Sequence, residues 1–212
     1  MNFALRQNSL IIFCAAARGE MEIVMMRIIT GKARGVKLKT LEGDATRPTS
    51  ERCKEALFSM LQFDIEGRDV LDLYAGSGQL GLEALSRGAN SATMVDKSKQ
   101  ATKIIDENII KTKLLDGASV ICSDVSDFIR AVRNRRKYDI VFIDPPYALR
   151  IAVQSAKSLY DAGLLKPTTI IACESEEEDI FESCSEAREI FEVLKHKKFG
   201  AANITLLGIK GN

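Results

Sequence analysis

The sequence predicts an α/β fold: a mainly parallel, seven-stranded sheet with helices on both faces, preceded by a short N-terminal β-hairpin. Three observations carry this. From residue 69 onward, short apolar runs alternate with segments of helical period, the pattern of a parallel sheet covered on both sides. The first run leads into a G-x-G-x-x-G turn, which marks a Rossmann-like strand-to-helix unit. The last two apolar runs, 190–194 and 203–209, have no full helix between them, so they are expected to pair antiparallel.

Residues 1–25 stand apart. An apolar run at 10–17 follows Arg6 and is far shorter than the ~20 residues a bilayer needs. It reads as a flexible, dispensable or misassigned N-terminal extension, with Met26, a second methionine start, opening the patterned part of the chain. Residues 26–212 form one expected domain, divided into a hairpin at 26–45 and a core at 46–212. In the hairpin, β-prone runs at 28–30 and 36–38 flank Gly31 and Gly35. Thr49 or Ser50 is then placed to cap a helix that aligns Cys53, Ala56, Leu57, Met60 and Leu61 on one face.

The remaining elements follow in order. Strands are expected at 69–74, 92–95, 119–122, 138–143 and 168–173. Helices fall between them, through about residue 86, at 98–113, from 125 to about 135, and at 151–162.

The formal net charge is +1, which excludes a uniformly basic nucleic-acid coat, but the charges are unevenly spread. Arg27, Lys32, Arg34, Lys37, Lys39, Arg47, Arg52 and Lys54 crowd the N-terminal quarter, whereas Glu174, Glu176, Glu177, Glu178, Asp179 and Glu182 lie near the other end. A basic end hints at a polyanionic partner. The five cysteines are widely spaced, with no C-x-x-C pair and only His196 available to complete a zinc site. They read as buried free thiols of a cytoplasmic protein, without metal. No membrane-spanning segment is expected, and no heptad suggests anything but a monomer.

Open parallel sheets bind ligands at the carboxyl ends of their strands, near the point where strand order reverses. Four strands each deliver an acidic residue to that rim: Asp72, Asp96, Asp124 and Asp144. After the first comes Gly76-Ser77-Gly78-Gln79-Leu80-Gly81, whose glycines let backbone approach a nucleotide-like cofactor, while Asp96 is placed to accept from ribose hydroxyls. A pyrophosphate wants a helix N-terminus free of anions. Asp72 would repel it but suits an ammonium, which favours S-adenosylmethionine over a dinucleotide.

Asp144-Pro145-Pro146-Tyr147 after the fourth strand is the sharper signal. Two prolines stiffen the loop, so the Asp144 carboxylate and the Pro145 carbonyl can converge as acceptors. Two acceptors complement the two hydrogens of a base's exocyclic amine and aim its lone pair at a sulfonium methyl. Tyr147 offers a flat face for an extruded base.

These motifs resemble those of the amino-group methyltransferases that act on DNA and RNA. With residues 26–32, Arg34-Gly35, Thr46-Arg47-Pro48-Thr49 and 80–89, the chain from Met26 onward resembles the bacterial RsmD family, which methylates N2 of a guanine in small-subunit (16S) ribosomal RNA. The resemblance implies a class I methyltransferase fold with S-adenosylmethionine held by Asp72, Gly76, Gly78, Asp96 (ribose) and Asp124 (adenine amine). It implies that Asp144, Pro145 and Tyr147 meet the base. Arg47 and Thr49 would stand at the mouth, and the hairpin with Arg27, Lys32 and Arg34 would contact the phosphates of ribosomal RNA or of an assembling small subunit. The chain departs from the family pattern at Ala202 and Phe199, where threonine and tyrosine are common, and in residues 1–25. Adenine-N6 methylation would use the same loop. A nicotinamide-dependent oxidoreductase would explain the glycines but not Asp144–Tyr147, and a non-catalytic RNA-binding assembly factor would have little use for that loop.

Overall fold

In the computed structural model, which describes residues 26–41, 48–146, 150–200 and 202–211, the apolar runs build one sheet. Its strands are β1 (Asp69–Leu73), β2 (Ser91–Asp96), β3 (Ala118–Cys122), β4 (Tyr138–Ile143), β5 (Leu165–Ser175), β6 (Phe191–Phe199) and β7 (Ala202–Ile209). The helices are α1 (Pro48–Met60), α2 (Gln79–Ser86), α3 (Lys99–Thr112), α4 (Val125–Ala131) and α5 (Ala152–Asp161). Strand order is β3-β2-β1-β4-β5-β7-β6, with β7 antiparallel to both neighbours and the other pairs parallel. The tail therefore pairs as expected, because the short link through Gly200 leaves no room for a crossover. The order reverses between β1 and β4, which makes their carboxyl ends the natural binding crevice.

Every residue of β4 is buried, since helices cover the sheet on both sides. Alternation along the strand then decides which side each residue serves. Ile140 and Phe142 join Phe58, Leu61, Leu82, Met94 and Ile105 on the side of α1, α2 and α3. Val141 and Ile143 join Phe128, Ile129, Val153, Leu159 and Ile171 on the side of α4 and α5. Phe58, absent from the expected face of α1, packs its ring 5.5 Å from that of Phe142.

Several boundaries differ from expectation. Helix α1 starts at Pro48, ahead of Thr49 and Ser50, because proline suits a first helical position whose N–H has no partner. Helix α4 stops at Ala131, short of residue 135, and the chain turns with Asn134 left-handed at φ 56°. Strand β5 begins three residues earlier than expected, at Leu165 rather than 168. The cysteines are free among the described residues, but only Cys53 and Cys173 are buried. Cys122 is exposed because it ends β3, the edge strand with one neighbour.

The N-terminal hairpin is present, reduced to one bridge between Arg27 and Lys37 and supported by Ile28 N–Val36 O (3.0 Å) and Leu38 N–Met26 O (2.8 Å). Helix α2 holds its turn in place of a longer ladder. The Lys32 amide donates to Ser86 O (2.8 Å) and the Ala33 amide to Ser86 Oγ (3.0 Å). At Gly31, φ is 86° and a Cβ would lie 1.8 Å from the Ser86 carbonyl oxygen, so only glycine fits. The expected extension at 1–25 lies outside the described residues.

Candidate active site

The carboxyl ends of β1, β2, β4 and β5 open into one cleft of about 1360 Å³. All four acidic residues expected at the rim, Asp72, Asp96, Asp124 and Asp144, line it together with Gly76 and Pro145. Small-ligand sites usually span roughly 300–1,000 Å³, so this cleft has room for a nucleoside cofactor and a second base.

The β1 side of the cleft is built on the glycine turn. Gly76 (φ 55°) and Gly78 (φ 76°) are both left-handed, and Gly78 caps α2. Gly81 lets the helix lie against β2, where a Cβ would meet Met94 Cγ at 2.6 Å. Asp72 braces the turn by accepting from the Gly81 amide at 2.9 Å. Burial pushes the Asp72 carboxyl up to about 7, against the bond from Gly81 and with some help from Asp96.

Asp96 accepts from the Gly76 amide (2.9 Å) and the Ser98 amide (2.8 Å), one bond on each carboxylate oxygen. Further lone pairs remain on both oxygens. Asp124 is exposed and caps α4 through Ser126, whose hydroxyl bond holds its carboxyl below the usual range. From α3, the fully buried Asn108 donates to Ser77 O (3.0 Å) and Lys39 O (2.9 Å) and accepts from the Lys39 amide (2.8 Å). One amide thereby joins the exit of the hairpin to the glycine turn.

The opposite wall is built from β4, β5 and α1. Pro145 is buried and Asp144 half-buried at the end of β4. Ile143 pairs with Cys173, so Asp144 and Glu174 leave neighbouring strands side by side. Cys53 of α1 faces both. Its thiol is pushed up to about 11, first by burial and then by the Glu174 and Asp144 carboxylates. Arg27, Lys32 and Arg34 are exposed on the hairpin, with Met26 lining the cleft. Arg47 and Tyr147 lie outside the described residues, as does the side chain of Thr49.

Other cleft residues escaped sequence reasoning. Lys54, counted with the basic N-terminal quarter, is only 4% exposed, and its ammonium donates to the Arg27 carbonyl at 2.6 Å. Glu174, counted with the C-terminal acidic cluster, lines the cleft at the end of β5. Tyr74 sits at φ 61°, a backbone state that costs a tyrosine about 1–3 kcal/mol, and its hydroxyl bonds Ser155 of α5 at 2.9 Å. Its place between Asp72 and Gly76 was the available signal. Arg130 and Arg133 reach the cleft from the α4 side, at the head of the exposed basic stretch Arg135, Arg136 and Lys137. Among the described residues no group of three or more His, Cys, Asp or Glu side chains could hold a metal ion, and no helix is long and apolar enough to cross a membrane.

Comparison with known proteins agrees with this geometry. Residues 26–208 match the family described as Conserved hypothetical protein 95. Ribosomal RNA small subunit methyltransferase D of Haemophilus influenzae is 37% identical over 163 residues, spanning 76% of this chain and 82% of the relative. The protein of that name from Escherichia coli strain K12 is 36% identical over 154 residues, covering 73% and 76%. The solved structure of Escherichia coli yhhF superposes with a TM-score of 0.75 at 31% identity, covering 89% of this chain and all of that one. The chain belongs to the ribosomal RNA small subunit methyltransferase D family.

Proposed function

We propose that this chain transfers a methyl group from S-adenosylmethionine to the exocyclic N2 amine of a guanine in small-subunit (16S) ribosomal RNA. It would act as a cytoplasmic monomer on the RNA or the assembling subunit. One observation carries the reading: the Asp144–Pro145 corner and the Asp72–Gly76 turn line the same cleft, on adjacent strands β4 and β1.

The residues present fit the cofactor. Asp72 is a buried carboxylate for an ammonium, Asp96 retains lone pairs for two ribose hydroxyls, and Asp124 stands at the third strand end for an adenine amine. When bound, the cofactor supplies an electrophilic sulfonium methyl. Asp144 and the Pro145 carbonyl accept the two amine hydrogens and hold the nitrogen lone pair in line. As the N–C bond formed and the sulfonium S–C bond broke, leaving a neutral thioether, the nitrogen would shed one proton to the Asp144 carboxylate. Tyr147 completes the base side by stacking, and Arg27, Lys32, Arg34, Arg47 and Thr49 guide the RNA by phosphate contacts that salt weakens.

The test is incubation with labelled donor and small-subunit RNA or particles, followed by digestion to nucleosides. N2-methylguanosine is expected, with the mark lost in Asp144→Ala while cofactor binding persists. A mark on adenine N6 would replace the reading with the adenine alternative, and full activity of Asp144→Ala would end the proposed mechanism.

A further inference from the structure

Resting on the methyl-transfer reading, we infer that Glu174 recognises the target base by accepting the N1–H of guanine, and so makes the cleft select guanine over bases whose ring nitrogen beside the amine is unprotonated. The argument begins with register. Ile143 of β4 pairs with Cys173 of β5, and the next residues out are Asp144 and Glu174. Neighbouring strands lie about 4.8 Å apart, so the backbones of the two residues leave the sheet at that order of spacing. They also share a face. Phe142 and Ala172, two residues back on each strand, both belong to the core cluster on the α1 side, and strand side chains repeat every second residue. Glu174 and Asp144 line the same cleft, and Cys53 of α1 lies in the field of both. Pro145 and Glu174 also share the wall of a small adjoining recess.

The chemistry of the base completes the argument. On guanine the N2 amine and N1–H are adjacent donors on one edge. Once Asp144 and the Pro145 carbonyl take the amine hydrogens, the next acceptor along the rim meets N1–H. A carboxylate there gains a charge-assisted hydrogen bond from guanine. Opposite the unprotonated ring nitrogen beside the amine of adenine, cytosine or 2-aminopurine, it would face a lone pair and gain no hydrogen bond from the base. Asp144 and Pro145 alone read an amine, whereas Glu174 reads the atom next to it.

The experiment compares two RNAs made from the fragment that carries the methylated guanine: one with guanine at the target position, the other with 2-aminopurine, which keeps the 2-amino group but lacks the N1 proton. The wild type is expected to prefer guanine by about tenfold or more in kcat/KM. Glu174→Gln is expected to lose about tenfold on guanine and to shrink or invert the preference, since an amide can donate to the bare ring nitrogen. Its cofactor affinity should stay unchanged. Loss of the 6-oxygen contact alone would leave the preference the same in both proteins, and that outcome overturns the assignment. If Glu174→Gln does not fold, as reported by cofactor binding, the wild type decides alone, with equal rates on the two RNAs overturning it. Absence of any N2 mark on the guanine RNA overturns the methyl-transfer reading as well, so the two failures are distinct.

Discussion

The carboxylate of Glu83, fully buried in α2, accepts the backbone amide of Ile29 at 2.7 Å and that of Thr30 at 3.0 Å, while Arg87 donates to it from one turn on at 2.8 Å. A side chain in the catalytic core thus satisfies the backbone of the hairpin. Removing it takes the acceptor from two amides and the carboxylate from Arg87, which keeps only its bonds to the Phe58 carbonyl and the Thr30 hydroxyl. Glu83→Ala is expected to cost about 3 kcal/mol, read as a lower urea midpoint at unchanged slope. Glu83→Gln, which keeps an acceptor, should cost clearly less.

The turn beside that carboxylate makes a sharper prediction. Gly31→Ala places a methyl group into the Ser86 carbonyl and demands a left-handed alanine. A loss of stability above about 2 kcal/mol is expected, against about 1 kcal/mol for Gly35→Ala, whose backbone is also left-handed (φ 80°) but whose added Cβ would meet nothing within 4 Å. Thermal unfolding of the two kinds of variant side by side gives the answer.

Asp72 should make cofactor binding depend on pH. Its folded carboxyl is raised to about 7, above its ordinary 3.8, so ionising it costs folded stability increasingly as pH climbs from about 4 to 7. A ligand ammonium needs the ionised form. The affinity for S-adenosylmethionine is therefore expected to weaken as pH falls below 7, by at most about tenfold per pH unit. Asp72→Asn should bind weakly at every pH, lose that slope, and be relatively more stable than the wild type at pH 8 than at pH 5. Calorimetric titration and unfolding across this range check both arms.

Lys32 and Arg34 are exposed on the hairpin. If both meet phosphates, the double alanine variant should lower the slope of log affinity against log salt by roughly 1 to 2, with the cofactor constant untouched. RNA binding at a series of salt concentrations measures it. An unchanged slope would move the polyanion surface elsewhere, first to Arg130 and Arg133.

Much of this was legible before any coordinates. The buried strands of the sheet are continuous apolar runs, and the acidic residues in the last residues of four strands or just after them, Asp72, Asp96, Asp124 and Asp144, fall on one rim because parallel strands all end on the same side. What escaped was decided by tertiary contact. Lys54 has the look of a surface cation until the Arg27 carbonyl is brought to it from 27 positions away. Glu174 is one carboxylate in an acidic stretch until register with Cys173 sets it beside Asp144. Helix α4 ends early because Asn134 takes a left-handed turn and donates its amide to the Ala162 carbonyl, a partner beyond any local pattern.

Asn108 gives the hairpin a significance beyond its proposed contact with RNA. Because one buried amide grips both Lys39 and Ser77, the arm cannot be trimmed or exchanged as a detachable module without slackening the glycine turn after β1. A graft of this arm onto another methyltransferase would have to carry its asparagine with it.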